Sequence, residues 1–370
     1  MESTAAVLNQ LGAQLSLERV QLDDPRPDEV LVQIAAVGIC HTDIATRDGA
    51  LPFPLPAVLG HEGSGTVVSA GRDVTKVRPG DRVTISFATC GRCPACAAGS
   101  PSYCHGFMAL NYAGTRPDGS SVITNAAGSL GSSFFGQSSF AAHAITHERN
   151  LVRVPDGFPL ELAGPLGCGI QTGAGAIMRS FSAPTGSGVL IVGGGSVGLS
   201  AVLGAVVQGC DPIIVAEPVP GRRELARTLG ATHAIDPADG PAAEQVRALF
   251  PAGVQFALDT TGLVPAISGA LGALGNQGVL GLLAIPADPA AALPVPLLQG
   301  LVLGLTVKNI IEGDSDTDTF IPQLMQLYLD DRFRFDKLIT TLPFEKINDG
   351  MAAQLSGEAV KVVLLLDQAG

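Results

Sequence analysis

The apolar positions of this chain keep one period near the amino terminus and another in the middle. Residues 5–21 and 29–38 alternate apolar and polar, and Val30, Val32, Ile34 and Val37 are β-branched, which predicts half-buried strands. The strand predicted over 29–37 runs directly into Cys40. Residues 41–48 predict a short helix with Thr42 or Asp43 near its first turn. Pro52, Pro54 and Pro56 hold 51–58 as an extended loop. Gly60 to Gly65 follow, then a predicted strand over 66–70, a Pro79-Gly80-Asp81 turn and a strand over 82–87. Short strands joined by Gly/Pro turns predict a small barrel-like β domain. Residues 111–150 are rich in Gly and Ser and contain the run SSFFGQSSF at 132–140, an aromatic cluster that belongs either to a core or to a pocket wall.

Near residue 170 the pattern changes. Residues 189–192 form a short, continuous apolar run, followed by Gly193-Gly194-Gly195-Ser196-Val197-Gly198 and a predicted helix over 199–208. Strand-like runs recur at 213–216, 231–235, 254–258 and 278–283, with helical stretches between them. Alternation of strand and helix predicts a parallel sheet covered on both faces, an α/β domain. After residue 307 the pattern changes again: Asp314 to Asp318 reads as a solvated N-cap region for a helix over 319–330, with Pro322 in an early turn, and 360–366 reads as a final strand. The expected organisation is a nucleotide domain over 170–307 inserted into a β domain made of 1–169 and 308–370, with a cysteine lobe over 88–106.

A length of 370 residues and 46% apolar content suit two cores. The net charge of −12 makes nucleic acid and anionic membranes poor partners. The Met1-Glu2-Ser3-Thr4 start shows no secretory signal. The most apolar stretch, 279–307, is broken by Pro286, Asp288, Pro289, Pro294 and Pro296, so no spanning helix is expected there. These features predict a soluble cytoplasmic protein.

Seven cysteines in such a chain point to metal before disulfides. Cys90, Cys93, Cys96 and Cys104 are spaced so that thiolates turn back onto one ion, and four thiolates close a tetrahedron, which makes that site structural. His105 beside them reads as an exposed neighbour, and Cys210 as a small buried hydrophobe. His143 and His147 read as satisfied or exposed histidines. Cys40, His61 and Cys168 are read instead as ligands of a catalytic zinc, since three protein ligands leave a fourth position open. Zinc there polarises an alcohol oxygen and lowers its proton affinity. Thr42 is placed to take the alcohol proton, Asp43 to fix the tautomer of His61, and Glu62 to approach the metal transiently.

Gly193, Gly195 and Gly198 follow a predicted strand and open a predicted helix, the context of a dinucleotide-binding loop that also includes Ser196 and Val197. Glu217, at the end of the next strand, is expected to accept hydrogen bonds from ribose hydroxyls and to repel a 2′-phosphate, which favours NAD over NADP. Arg222 and Arg223 lie close enough in sequence to weaken that preference.

With GICHTD at 38–43, GHEGSG at 60–65, the cysteine lobe, GPLGCGIQTGAG at 164–175 and GGGSVG at 193–198, the chain resembles zinc-dependent alcohol dehydrogenases of the medium-chain dehydrogenase/reductase superfamily over nearly its whole length. It is most similar to the bacterial aryl-alcohol (benzyl alcohol) branch. The resemblance implies a Rossmann doubly wound sheet inserted in a GroES-like β-barrel catalytic domain, two zinc ions and NAD. It implies Thr42 in a proton relay, Thr172 and Val197 against the nicotinamide, and His41 near the pyrophosphate. Arg222 and Lys361 join the cofactor set, and Phe87, Phe134 and Phe135 the substrate pocket. It also implies a homodimer or homotetramer, with the apolar segment 293–307 as interface. Many relatives carry a histidine five residues after the first ligand cysteine, and this chain has Ala45 there. The expected reaction is the interconversion of primary aromatic or allylic alcohols and aldehydes. An aliphatic or geraniol-type alcohol stays open as substrate. A non-catalytic zinc- and nucleotide-binding protein would need the same cysteines but not Thr42.

Overall fold

The computed structural model describes residues 1–286, 288, 290–293 and 295–366. The amino-terminal alternation becomes two strands, β1 (Glu2–Leu8) and β2 (Ser16–Leu22), because a turn interrupts it; they pair antiparallel from Glu2↔Gln21 to Val7↔Ser16. Then come β3 (Glu29–Gly38), α1 (His41–Arg47), β4 (Ala57–Val58), β5 (Gly63–Ala70) and β6 (Arg82–Ile85). The segment that follows holds α2 (Pro94–Ala97), α3 (Phe107–Tyr112), β7 (Ile123–Asn125), β8 (Gly128–Ser129), β9 (His143–His147), β10 (Leu151–Arg153) and α4 (Leu160–Leu166).

The middle of the chain contributes α5 (Gly169–Gly175), β11 (Val189–Val192), α6 (Ser196–Gln208), β12 (Ile213–Ala216), α7 (Pro220–Thr228), β13 (His233–Ile235) and α8 (Ala242–Leu249). It continues through β14 (Val254–Asp259), α9 (Val264–Ala273), β15 (Leu274–Leu282), α10 (Leu297–Leu303) and β16 (Thr306–Asn309). The chain ends with α11 (Thr317–Leu329), β17 (Ile339–Pro343), α12 (Ile347–Ser356) and β18 (Lys361–Leu365). No helix among the described residues is long and apolar enough to cross a membrane.

Two compact units result. The first takes Met1–Cys168, Asp316–Leu329 and Ile339–Gly370. One of its sheets runs β4-β1-β2-β7-β8 and the other β10-β6-β5-β3-β18-β17, with β9 also on β3. β3 is buried on both faces: Val30, Val32 and Val37 have no exposed surface and Ile34 only 1%. One edge of it bonds β5, and the other is shared by β9 along 29–33 and β18 along 36–38. β5 starts at Gly63, earlier than the strand read over 66–70, because glycine hides the strand signal while the packing demands it. A Cβ on Gly65 would lie 1.9 Å from the Gln33 carbonyl oxygen, next to a register irregularity between Ile34 and Ala36.

The second unit takes Gly169–Ser315 and Asp330–Leu338. Its six strands are all parallel in the order β13-β12-β11-β14-β15-β16, the doubly wound arrangement whose direction of winding reverses beside β11. The unit reaches past residue 307, since β16 continues to Asn309 in register with β15. α6 begins at Ser196 rather than 199, because Gly195 is extended and its carbonyl already accepts from Leu199 N. α11 starts at Thr317, which puts Pro322 two residues further inside the helix than expected.

Candidate active site and metal centres

The pairing Val37↔Gly63 sets His61 and Glu62 beside the end of β3, where Cys40 emerges. α4 brings the last cysteine. Ser64 Oγ donates to Leu160 O (2.7 Å), Thr84 Oγ1 to Ala163 O (2.9 Å) and Ser86 Oγ to Gly167 O (2.6 Å). A Cβ on Gly164 would fall 2.1 Å from Glu62 O, so glycine is what allows α4 to approach and deliver Cys168. The ligand atoms of Cys40, His61, Glu62 and Cys168 all lie within 4.8 Å of one another, and all four residues are buried. Ligands around one zinc stand roughly 3.5–3.8 Å apart, so the cluster is of the right size.

Asp43 is completely buried and accepts three hydrogen bonds, from Cys40 N (2.9 Å), Gly60 N (3.1 Å) and His61 Nδ1 (2.9 Å). With the proton assigned to Nδ1, the other ring nitrogen is free to ligate. His61 Nε2 is buried and has no hydrogen-bond partner among the described residues. The hydrogen bond from Cys168 holds the Cys40 thiol well below its ordinary value despite burial, helped by the positive charges of His61 and Lys361. Burial opposes the charged form of His61, but Asp43 and Cys40 together hold it well above the usual imidazole range. A thiolate, a second sulfur and an imidazole nitrogen that would give up its proton on metal binding form a donor set that zinc fits. Thr42 Oγ1 lies 3.7 Å from Cys40 Sγ. His41 is exposed at the start of α1, and Ala45 is half-buried.

Glu62 and Lys361 depart from expectation. Lys361 Nζ donates to both Glu62 oxygens (2.8 Å each) and to Ile39 O (2.9 Å), with side-chain exposures of only 1% for Lys361 and 0% for Glu62. The lysine assigned to the cofactor is therefore enclosed in the first unit and committed to Glu62. Glu62 sits close to the other three donors, yet both its oxygens accept from the ammonium. Burial pushes the Glu62 carboxyl up to about 7, against the pull of Lys361. Burial likewise disfavours the Lys361 charge, but Glu62 holds the group above the ordinary lysine range.

The run at 132–140 is packed onto His61. Phe135 stacks on the imidazole (centroids 4.4 Å, planes 23° apart) and Phe134 meets it edge-on at 5.4 Å. Phe87, Phe134 and Phe135 are 3%, 0% and 4% exposed, so the rings expected at a pocket are packed in the hydrophobic core of the first unit. Beyond Phe134, Phe53 and Tyr112 (5.0 and 5.7 Å between centroids) line an open apolar depression of about 480 Å³. Ser133, Phe135 and Ser138 have φ of 58°, 50° and 52°, a left-handed backbone that costs on the order of 1–3 kcal/mol per residue and gathers at functional sites. Ser138 Oγ offsets part of this, accepting from Phe134 N and donating to Val58 O. Gln137, buried in the same loop, was not among the candidates; one amide among small residues gives no periodic signal.

Cys90, Cys93, Cys96 and Cys104 also place their sulfurs within 4.8 Å of one another. Cys93 Sγ is 3.5 Å and Cys90 Sγ 4.0 Å from Cys96 Sγ. Backbone N–H groups point at sulfur: Cys90 N at Cys104, Cys93 N at Cys90 and His105 N at Cys93. The N–H groups of Cys96 and His105 pull the Cys93 thiol down to about 6, while burial and the neighbouring thiols push Cys96 up to about 12. The His105 side chain is exposed. Cys210 is buried, and burial raises its thiol to about 11. His143 pairs with Ser3 Oγ, and His147 accepts from Arg149 N.

In the second unit the glycines of the β11–α6 turn divide their work. Gly193 has φ of +100°, and a Cβ on Gly198 would lie 1.9 Å from Gly193 O. A Cβ on Gly195 would meet nothing within 4 Å, which leaves room for a ligand to reach the backbone at the start of α6. Glu217 is 3% exposed, and its carboxylate accepts from Gly194 N (2.6 Å) and Val219 N (2.8 Å). Arg223 is occupied by Asp236 (2.8 Å) and by the carbonyls of Glu217 and Pro218. Arg222 is half-buried, its Nε without a hydrogen-bond partner among the described residues. α5 packs against α6 so closely that a Cβ on Gly173 would lie 1.9 Å from Val197 O. Thr172 Oγ1 donates to Glu312 (3.3 Å).

The family model for the alcohol dehydrogenase GroES-like domain matches residues 26–156, and the model for zinc-binding dehydrogenase matches 196–329. A geraniol dehydrogenase of Castellaniella defragrans is 47% identical over 367 residues, covering 99% of this chain and 98% of that protein. The crystal structure of an alcohol dehydrogenase zinc-binding domain protein from Burkholderia ambifaria aligns over 100% of both chains, with TM-score 0.97 and 44% identity. Benzyl alcohol dehydrogenase of Acinetobacter calcoaceticus aligns over 99% of this chain and 100% of its own, with TM-score 0.96 and 37% identity. Two thiolate-rich clusters, a dinucleotide loop on a doubly wound sheet and similarity over the full length lead to one conclusion: this chain belongs to the zinc-dependent alcohol dehydrogenases of the medium-chain dehydrogenase/reductase superfamily.

Proposed function

We propose that the protein interconverts primary alcohols and aldehydes whose reacting carbon adjoins an sp² carbon, benzylic or allylic, with NAD as the hydride acceptor. The observation that carries this reading is the buried convergence of Cys40, His61 and Cys168 against the rings of Phe134 and Phe135. Zinc supplies Lewis-acid polarisation of the alcohol oxygen, and NAD takes the hydride. Cys40, His61 and Cys168 hold the catalytic ion, and the four-cysteine lobe holds a structural one. Asp43 keeps the imidazole in the ligating tautomer. Thr42 would accept the hydroxyl proton while passing its own onward, and since Ala45 offers no ionisable group, the onward acceptor is water, the cofactor ribose or His41.

Glu217 supports NAD over NADP: a buried carboxylate at the end of β12 repels a 2′-phosphate, and Arg223 is tied to Asp236. Gly193, Gly195, Ser196 and Gly198 bind the nucleotide phosphates, and Thr172 and Val197 flank the nicotinamide. Geraniol and benzyl alcohol, named for two of the relatives, share an activated primary carbinol, and an aromatic wall suits either.

The test is a comparison of benzyl alcohol, geraniol, ethanol and cyclohexanol by NADH formation with zinc-loaded protein. Benzyl alcohol and geraniol should exceed ethanol in kcat/KM by roughly 10–200-fold, the discrimination an apolar pocket supplies. Preference for ethanol or cyclohexanol would remove the substrate class, and no turnover of any alcohol would remove the enzyme.

A further inference from the structure

Asp43 fixes the His61 ring at Nδ1, and Phe135 covers its face, but where the ring sits also depends on the backbone that carries it. That backbone is held by one side chain on both sides of the histidine. Gln137 Nε2 donates to His61 O (2.9 Å), and Gln137 Oε1 accepts from Gly63 N (3.1 Å). The same amide nitrogen lies 3.5 Å from Ile85 O, and the residue is 2% exposed. Its orientation is fixed by its surroundings, since a reversed amide would set oxygen against two carbonyls and NH₂ against an N–H.

We infer that Gln137 is a positioning residue for the catalytic metal: it clamps the 61–63 backbone so that His61 Nε2 meets the Cys40 and Cys168 sulfurs. The inference rests on the reading of these three residues as zinc ligands. The loop that carries Gln137 gives the clamp its purpose. Ser133, Phe135 and Ser138 keep left-handed backbone within six residues, and this unfavourable path delivers both the ring stacked on His61 and the amide that brackets it. An apolar side chain of equal length would leave His61 O and Gly63 N buried without this partner. Loss of such an outer partner typically costs about 10–100-fold in metal affinity.

The experiment follows zinc release from the holoprotein into excess chelator for wild type, Gln137→Met and Gln137→Glu, with the four-cysteine zinc as internal reference. Gln137→Met removes both bonds. Gln137→Glu keeps an acceptor for Gly63 N but turns oxygen toward His61 O and Ile85 O. One zinc should leave both variants about 10–100-fold faster, with the lobe zinc unchanged. The visible spectrum of the cobalt-substituted protein should shift as the ligand geometry relaxes. Release at the wild-type rate with an unaltered cobalt spectrum would overturn the assignment of Gln137 alone. A wild-type protein that holds zinc only in the four-cysteine lobe would overturn the three-ligand reading, and this inference with it.

Discussion

Lys361 and Glu62 are enclosed together, so neither charge has water in reserve if the other is lost. Removing one partner of a buried ion pair costs about 3–5 kcal/mol, far more than the pair contributes net. Lys361→Met should therefore destabilise the protein by about that amount in denaturant unfolding, and the double variant Glu62→Gln/Lys361→Met should recover most of the loss. Equal losses in the single and double variants would mean that the lysine acts through packing alone. The pair was only half legible beforehand. A carboxylate between His61 and Gly63, bound for a sheet interior, must meet a cation. Nothing in the apolar run around Lys361 says which acid it will find 299 residues away. Asp43 was easier to read, because it lies two positions into the helix that starts at His41 and its partner histidine follows in a glycine-rich turn.

Elements show the same division. The β11–α6 turn can be read because its glycines are needed for different reasons, and the two reasons separate by mutation. Gly195→Ala places its Cβ in open space, so thermal stability should hold while KM for NAD rises about tenfold or more. Gly198→Ala drives a Cβ onto the Gly193 carbonyl and should cost about 1–3 kcal/mol of stability. If both variants behaved alike, the backbone at Gly195 would not be where the nucleotide approaches.

The cysteine lobe was equally open to reading, since spacing alone closes a tetrahedron. α2 contributes no buried residue, so metal replaces a core there. Cys93→Ser should lower zinc content from two ions per chain to one and leave 90–104 sensitive to protease, with alcohol turnover persisting at temperatures where the rest stays folded. The start of β5 escaped, because its glycines answer to neighbouring backbone rather than to any periodicity. The loop at 132–140 escaped for a related reason: left-handed serines and a bracketing glutamine obey local geometry, not a hydrophobic repeat.

At the scale of the molecule, the parallel sheet ends at β16, an edge strand, and α10, which leads into it and packs on β15, exposes Leu297, Leu298, Leu301 and Val302 at 85%, 75%, 80% and 73%. An apolar helix next to an open strand edge is costly for a lone chain in water. Of the expected interface at 293–307, Pro294 lies outside the described residues, as do Pro289, also singled out in the sequence, and 367–370. We propose that this edge joins two copies. Wild type should then sediment at equilibrium above the monomer mass and Leu298→Glu with Leu301→Glu as the monomer, and a monomeric wild type would overturn the proposal. An unchanged mass would place the contact elsewhere.

The position of β18 has a consequence for how the protein is made. This strand, at residues 361–365, lies inside a sheet whose members other than β17 are translated some two hundred residues or more earlier, and it carries the ammonium that Glu62 requires. On the ribosome the first half of that sheet must wait, with a gap beside β3, while the nucleotide-binding unit, nearly contiguous in sequence, can close first. The catalytic half can finish only once β17 and β18 have left the exit tunnel, and nascent chains that stop short of residue 361 should be the most dependent on chaperones.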